Sequence, residues 1–285
     1  MKQVLILSGK GGTGKTTVAS AFIKLSNAKA YADCDVDAPN LHLISDWQIE
    51  PKRSDYFGLD KAQIDSQLCV QCDACRQNCR FDAIIAGESY QVNPYACEGC
   101  GVCAYVCPAQ AIKMVPSVDG DLMLYADAEK TFSTAQLKMG SGTSGLLVTQ
   151  VKKQMKEHAT DADLAIIDGS PGIGCPVIAS LSGVDMVLVV AEPSISGISD
   201  MQRIIHTAAR FGVKIAVCIN KYDNNLENTA KIEQYCQEND LAMVGKIPYD
   251  PNAIRAINNG HSIVDIDCPS GSAVREVYAR TIKRL

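Results

Sequence analysis

The sequence predicts a doubly wound α/β domain with a mostly parallel sheet, interrupted by a small cysteine-rich insertion. Three observations carry that reading. Continuous apolar runs bounded by Gly, Pro, Asp or Asn alternate with helix-length segments of 3.6-residue period. Eight of the thirteen cysteines crowd into residues 69–107, and the crowded stretch repeats itself.

Taken in order, the first run is Val4 to Leu7, followed by helical spacing from Lys15 to Ser26. The runs Leu164 to Ile167, Met186 to Val190 and Ile215 to Ile219 continue the pattern, with helical spacing over 146–158, 199–211 and 228–238. Runs without polar alternation belong to strands buried on both faces, as in a parallel sheet covered by crossover helices. Between about Ile64 and Pro116 the alternation stops. There Cys69, Cys72, Cys75, Cys79, Ala83 and Ile84 recur 28 residues later as Cys97, Cys100, Cys103, Cys107, Ala111 and Ile112, so one small unit is duplicated. The expected organisation is residues 1–63 and 117–285 as two parts of one domain, with 64–116 inserted.

Composition narrows the function classes. With 27 Lys+Arg against 32 Asp+Glu the net charge is −5, which argues against a nucleic-acid sheath or a polybasic membrane binder. The chain is 47% hydrophobic and 21% charged, enough apolar content to build a core and to exclude disorder as the main state. No apolar run approaches the roughly 18 residues of a membrane span, and none near the N-terminus suits a signal peptide. A cytoplasmic location is expected, and in a reducing compartment thirteen cysteines point to metal binding or redox chemistry.

Gly9-Lys-Gly-Gly-Thr-Gly-Lys-Thr16 satisfies G-x-x-x-x-G-K-[ST] between an expected strand and an expected helix. Gly9, Gly11, Gly12 and Gly14 let backbone N–H groups turn toward phosphates, so the stretch through Thr13 and Thr17 forms a cradle at a helix N-terminus. Lys15 reaches the β and γ phosphates and Thr16 ligates Mg²⁺. The expected class is a P-loop NTPase binding Mg-ATP.

Cys-x₂-Cys-x₂-Cys-x₃-Cys-Pro, present from Cys97 to Pro108, is the bacterial ferredoxin run, and 69–79 is its twin. Three closely spaced thiolates converge on one cubane while the fourth serves the other. Cys69, Cys72, Cys75 and Cys107 are therefore expected to hold one [4Fe–4S] cluster, and Cys79, Cys97, Cys100 and Cys103 the second, in an α+β bacterial ferredoxin-like insertion. A structural zinc module is the alternative, although zinc pairs usually stand far apart. Arg80 replaces the proline of the second half, a charge that could raise one cluster's potential. Cys34 and Cys218 read as small buried thiols, Cys236 and Cys268 have no partner at ligand spacing, and His42, His158, His206 and His261 show none either. Met139 to Gly145 reads as a flexible connection, with an anion or partner loop as the alternative.

Lys10 completes K-G-G-x-G-K-T, and with it the chain resembles the MinD/ParA/Mrp and nitrogenase iron-protein superfamily over nearly all its non-inserted length. The resemblance implies that Lys10 crosses a nucleotide-sandwich homodimer to the partner's phosphates, as a trans arginine finger does. Asp33-Cys-Asp-Val-Asp-Ala-Pro-Asn-Leu41 looks like switch I, which implies that Asp35 orients or deprotonates the attacking water near Mg²⁺, with Asp37 and Asn40 in the moving segment. Residues Ala165 to Gly174 look like Walker B and switch II, which implies that Asp168 holds Mg²⁺ through water. Residues Gly245 to Gly260 are similar to the base-flanking segment, which implies nucleotide contacts at Pro248 and Asp250, with Asn220 on the adenine edge. Asn220-Lys-Tyr-Asp223 also reads as the guanine motif N-K-x-D, so GTP is the alternative to ATP. Cys175 falls where the nitrogenase iron protein carries a cluster cysteine. A packed thiol is its ordinary reading and an intersubunit metal site the alternative.

The resemblance as a whole implies an ATPase that couples a nucleotide-driven dimer cycle to electron transfer, or to metallocluster assembly, on a partner protein. The insertion begins about 24 residues after Asn40, so switch I is the expected link to the clusters. A second reading is a positioning ATPase like MinD or ParA, with clusters as redox sensor or staple. Against it stand the acidic balance and an end at Leu285, inside the helix that precedes MinD's amphipathic anchor, so neither nucleic acid nor a membrane anchor is expected.

Overall fold

A computed structural model of the chain describes residues 1–45 and 47–285. In chain order the elements begin β1 (Lys2–Leu7), α1 (Lys15–Ser26), β2 (Ala30–Asp33) and β3 (Lys52–Phe57). The cysteine-rich stretch follows with β4 (Lys61–Ile64), α2 (Ala74–Gln77), β5 (Ile84–Ile85), β6 (Gln91–Val92), α3 (Val102–Tyr105) and β7 (Ile112–Val115). Then come β8 (Val118–Ala126), β9 (Thr131–Leu137), α4 (Ser144–His158), β10 (Leu164–Asp168), α5 (Cys175–Leu181), β11 (Met186–Ala191) and α6 (Ile195–Ala209). The chain closes with β12 (Lys214–Asn220), α7 (Leu226–Glu238), β13 (Ala242–Ile247), α8 (Pro251–Asn258) and α9 (Pro269–Ile282).

The main sheet runs β13-β12-β11-β1-β10-β2-β9-β8-β3, parallel from β13 to β9, with β8 antiparallel to both its neighbours. Central strands alternate between two cores. Leu5 and Leu7 of β1 join Val187 and Val189 of β11 against α4 to α7, while Val4 and Ile6 join Leu188 and Val190 against α1 and α9. Helices on both faces explain the unbroken apolar runs, and each such buried Leu or Ile contributes about 1.5–3 kcal/mol. β1 lies between β10 and β11, where the winding reverses, so the loop after it opens into the crevice at the strands' carboxyl ends.

Two differences from the sequence reading have local causes. α6 begins at Ile195 rather than 199, because Ser194 Oγ accepts the Gly197 N–H at 3.1 Å and caps the helix earlier. β3, β8 and β9 were not legible as strands: β3 reads KRSDYF and buries only Tyr56, so neither an apolar run nor a clean alternation marks it.

The cysteine-rich stretch stands outside the main sheet. Lys61–Ile64 pair antiparallel with Ile112–Val115, so the hydrogen-bonded unit starts a few residues before 64. The repeat extends to the backbone. Helices α2 and α3 are 28 residues apart, and the pair Ile64↔Ile112 recurs as Val92↔Ile84. Left-handed backbone also recurs at that interval: Gln71 (φ 53) with Gly99 (φ 69), and Asp73 (φ 64) with Gly101 (φ 73). The first half adopts without glycine what the second adopts with it, a cost of roughly 1–2 kcal/mol per residue. Among the described residues no helix is long and apolar enough to cross a membrane.

Candidate functional site

The loop after β1 is locked by its neighbours. Asn220 at the end of β12 donates through Nδ2 to Thr13 O at 2.7 Å, and a Cβ at Gly14 (φ +90) would stand 2.2 Å from that Nδ2. Lys15 is buried with its ammonium 2.5 Å from Asp168 Oδ1 and 3.9 Å from Asp35 Oδ2. Thr16 Oγ1 donates to Asp168 Oδ2 at 2.6 Å. A hydroxyl and a carboxylate at the end of a strand are hard oxygen donors suited to Mg²⁺. Asp33, fully buried, accepts the N–H groups of Asp35, Asn40 and Leu41 at 3.0 Å each and so ties the switch I stretch to β2. Its side chain was not singled out in the sequence, because that role depends on the loop's curl.

Three carboxylates around one ammonium set the electrostatics. Burial works against the charge on Lys15, but Asp168, Asp33 and Asp35 outweigh it and push its pKa up. Burial, then the neighbouring Asp168, raises Asp33 to about 7. Burial also raises Asp35 to about 6 against the pull of Lys15. These folded-state values exceed the unfolded carboxylate value, so their stabilisation is full below about pH 4 and lost as pH rises toward 7. Asp33→Asn is therefore expected to flatten the fall in nucleotide-free melting temperature between pH 5 and 7. Superimposable wild-type and variant profiles would contradict this assignment.

The remaining nucleotide residues divide between two adjoining cavities. The phosphate side is lined by Lys10 to Thr17 with Asp35, Asp37, Asn40, Ser170 and Pro176. Lys10 points to its own chain, 3.0 Å from Glu192 Oε2 and 3.0 Å from Ser194 Oγ. Lys221 meets the same carboxylate at 3.6 Å and donates to Gly12 O at 2.9 Å. Beside it a cavity has an apolar floor from Val18, Ile247, Ile254, Ile257 and Ile263, with Asn220, Pro248 and Asp250 in its wall. Asp250 spends its carboxylate on the N–H groups of Asn252 and Ser270 and on Ser270 Oγ. Burial opposes its charge, but those hydrogen bonds prevail and hold its pKa below the ordinary value. Asp223, which a guanine reader would need in this wall, instead accepts the Tyr249 N–H at 2.7 Å.

The eight clustered cysteines line two further cavities. One is lined by Cys79, Cys97, Cys100 and Cys103 with Phe81, Ile84, Val92 and Met114. The other is lined by Cys69, Cys72, Cys75 and Cys107 with Ile64, Tyr90 and Ile112. In each set the fourth sulfur comes from the other run of cysteines. Burial raises the Cys75 thiol, and Cys69 and Cys107 add to it; burial raises Cys103, and Cys97 and Cys100 add to it. Among the described residues no cysteine is in a disulfide. Among the described residues no three His, Cys, Asp or Glu side chains converge on a position for a single ion. A cubane takes one thiolate per iron, so its ligands surround a cavity instead.

A known family matches this framework. The CobQ/CobB/MinD/ParA nucleotide binding domain matches residues 4–263. The chain belongs to that family. This MinD/ParA-type ATPase is 30% identical to an uncharacterized protein of Methanocaldococcus jannaschii, over 98% of this chain and 95% of that one. It is 24% identical to an iron-sulfur cluster carrier protein of Pyrococcus abyssi, over 99% of this chain and 86% of that one. Its fold superimposes with a TM-score of 0.58 on the septum site-determining protein MinD complexed with Mg-ADP from Pyrococcus horikoshii, at 19% identity, covering 97% of this chain and 94% of that one.

Within this ATPase the cysteine-rich unit lies against the loop before α4. Two glycines of the loop before α4 lie close to residues around Cys97, and Gly99 lies close to Leu59 and Asp60 after β3. A Cβ at Gly140 would stand 3.4 Å from Tyr95 O, and one at Gly142 would stand 2.5 Å from Glu98 Oε2. Tyr95 and Glu98 flank Cys97. In the first turn of α4 a Cβ at Gly145 would stand 3.1 Å from Cys175 Cβ, at the start of α5. Buried Lys152 of α4 also donates to Ser180 O near the end of α5 at 2.5 Å and to Ser182 O just beyond it at 2.6 Å, and burial lowers its pKa to about 8. Within Met139 to Gly145 the side chain of Met139 is exposed, as are Gly140 and Gly142, while Thr143 is buried. Cys175 is exposed and not the packed thiol expected, because it opens a helix instead of following a strand. Cys34, Cys218, Cys236 and Cys268 are buried.

Proposed function

We propose that this ATPase is an iron–sulfur protein that couples an ATP-driven homodimer cycle to electron transfer to a partner protein. The observation that carries the reading is the pair of apolar cavities, each lined by the four cysteines that ferredoxin spacing assigns to one cubane. The cysteine thiolates would hold two [4Fe–4S] clusters, which when bound accept and release single electrons. Phe81, Ile84, Val92 and Met114 shield one site from water, and the Ala111 N–H donates to Cys107 Sγ at 3.3 Å in the other. Shielding and N–H donation are the two levers that tune such sites.

On the nucleotide side Lys15 neutralises the β and γ phosphates, while Thr16 and Asp168 supply the Mg²⁺ shell. Asp35, with its pKa raised to about 6, is matched to accept the attacking water's proton near neutral pH. Lys10 leaves Glu192 to stabilise charge on the partner's phosphates. Nucleotide-driven movement of switch II passes through α5 and the 139–145 loop to the residues around Cys97.

The test is an EPR-monitored redox titration of anaerobically purified protein with Mg-ADP and with a non-hydrolysable ATP analogue. A nucleotide-dependent shift in midpoint or line shape is expected. Identical titrations would leave the clusters as staples of a positioning ATPase, and loss of iron to an apo-acceptor on ATP addition would favour metallocluster assembly.

A further inference from the structure

Lys61 is a buried cation inside the cysteine-rich unit. It is 7% exposed and its ammonium donates to the carbonyl oxygen of Cys97. Among the described residues no carboxylate lies within ion-pair distance of it. A buried ammonium with one carbonyl partner is costly unless a negative charge stands nearby. The cavity lined by Cys97 is where such a charge would be, since a cubane with four thiolates is anionic and gains one more negative charge on reduction.

The other half of the unit carries no counterpart. The 28-residue repeat that takes Cys69 to Cys97 and Ile64 to Val92 takes Lys61 to Ser89, a neutral residue. Arg80, next to Cys79 of the same ligand set, is exposed, so water and salt screen it. The buried charge therefore distinguishes two sites related by the repeat, one with Glu98 in its wall and the other with Asp73.

We propose that Lys61 makes the site of Cys79, Cys97, Cys100 and Cys103 the electron-holding member of the pair. This rests on the cluster reading above and goes beyond it. At low local dielectric a fixed positive charge favours the more negative, reduced state beside it. One electron leaves the Cys69 half as one arrives at the Cys97 half, so no other reactant is required. The favoured half is also the one whose Tyr95 and Glu98 lie against Gly140 and Gly142 of the loop before α4.

The experiment is a reductive EPR titration of the full-length cluster-loaded protein, comparing wild type with Lys61→Met, Lys61→Arg and Ser89→Lys. Wild type is expected to show two midpoints. Lys61→Met is expected to shift the electron's partition toward the Cys69 half at least tenfold, about 59 mV for a one-electron couple. Lys61→Arg retains the wild-type gap, and Ser89→Lys narrows it. Equal midpoints in wild type, or a Lys61→Met change that lowers both alike, would overturn the proposal. Should Lys61→Met not fold, an unchanged gap in Ser89→Lys overturns it. Preparations without two cubanes' worth of iron and sulfide would sink the cluster reading itself.

Discussion

Lys10→Ala is expected to lower kcat for ATP hydrolysis by about 10³-fold while changing the apparent nucleotide affinity only slightly, the signature of a group that acts mainly in the transition state. The geometry explains why binding is spared. Lys10 is held by Glu192 and Ser194 of its own chain, whereas Lys15 is the ammonium buried against Asp168. Lys15→Ala is the contrasting control: it leaves Asp33, Asp35 and Asp168 around an uncompensated centre and removes nucleotide binding altogether. Steady-state kinetics and equilibrium binding of a fluorescent ATP analogue separate the two. Wild-type turnover in Lys10→Ala would exclude a trans role and leave the Glu192 ion pair as that lysine's function.

Serine at Cys79 is expected to abolish the EPR signal that serine at Cys97, Cys100 or Cys103 also abolishes, and to leave the second signal intact. Serine at Cys107 is expected to do the reverse, and either change removes about half the iron, because each cubane takes its fourth thiolate from the opposite run. The result is counter-intuitive from sequence, since Cys79 is only four residues from Cys75. The crossing follows from the walls of the two cavities, where Cys79 faces the second run and Cys107 the first. Loss of the same signal in Cys79→Ser and Cys75→Ser would rule out crossed ligation. A protein that keeps two metals in all variants would point to zinc.

Much of this was legible before any coordinates. The apolar runs of β1, β10, β11 and β12 lie where continuous hydrophobicity places them, because strands buried on both faces leave no room for polar alternation. The phosphate loop was legible because its chemistry depends on residues adjacent in sequence. The 28-residue repeat was legible as well, and it reappears in strand pairs and in left-handed backbone at Gln71 and Asp73. Edge strand β3 was not, because a strand that buries one residue in six carries no periodic signal.

What the sequence by itself determined is therefore everything set by local chemistry: the fold class, the nucleotide loop and the cysteine spacing. The tertiary structure alone decided which distant groups share a space. It brought Lys10 to Glu192, hung three backbone N–H groups on Asp33, set the loop 139–145 between the cysteines and switch II, and buried Lys61 against the carbonyl of Cys97. The physical reason is that burial and charge pairing depend on distances across the chain, and a linear pattern records only distances along it.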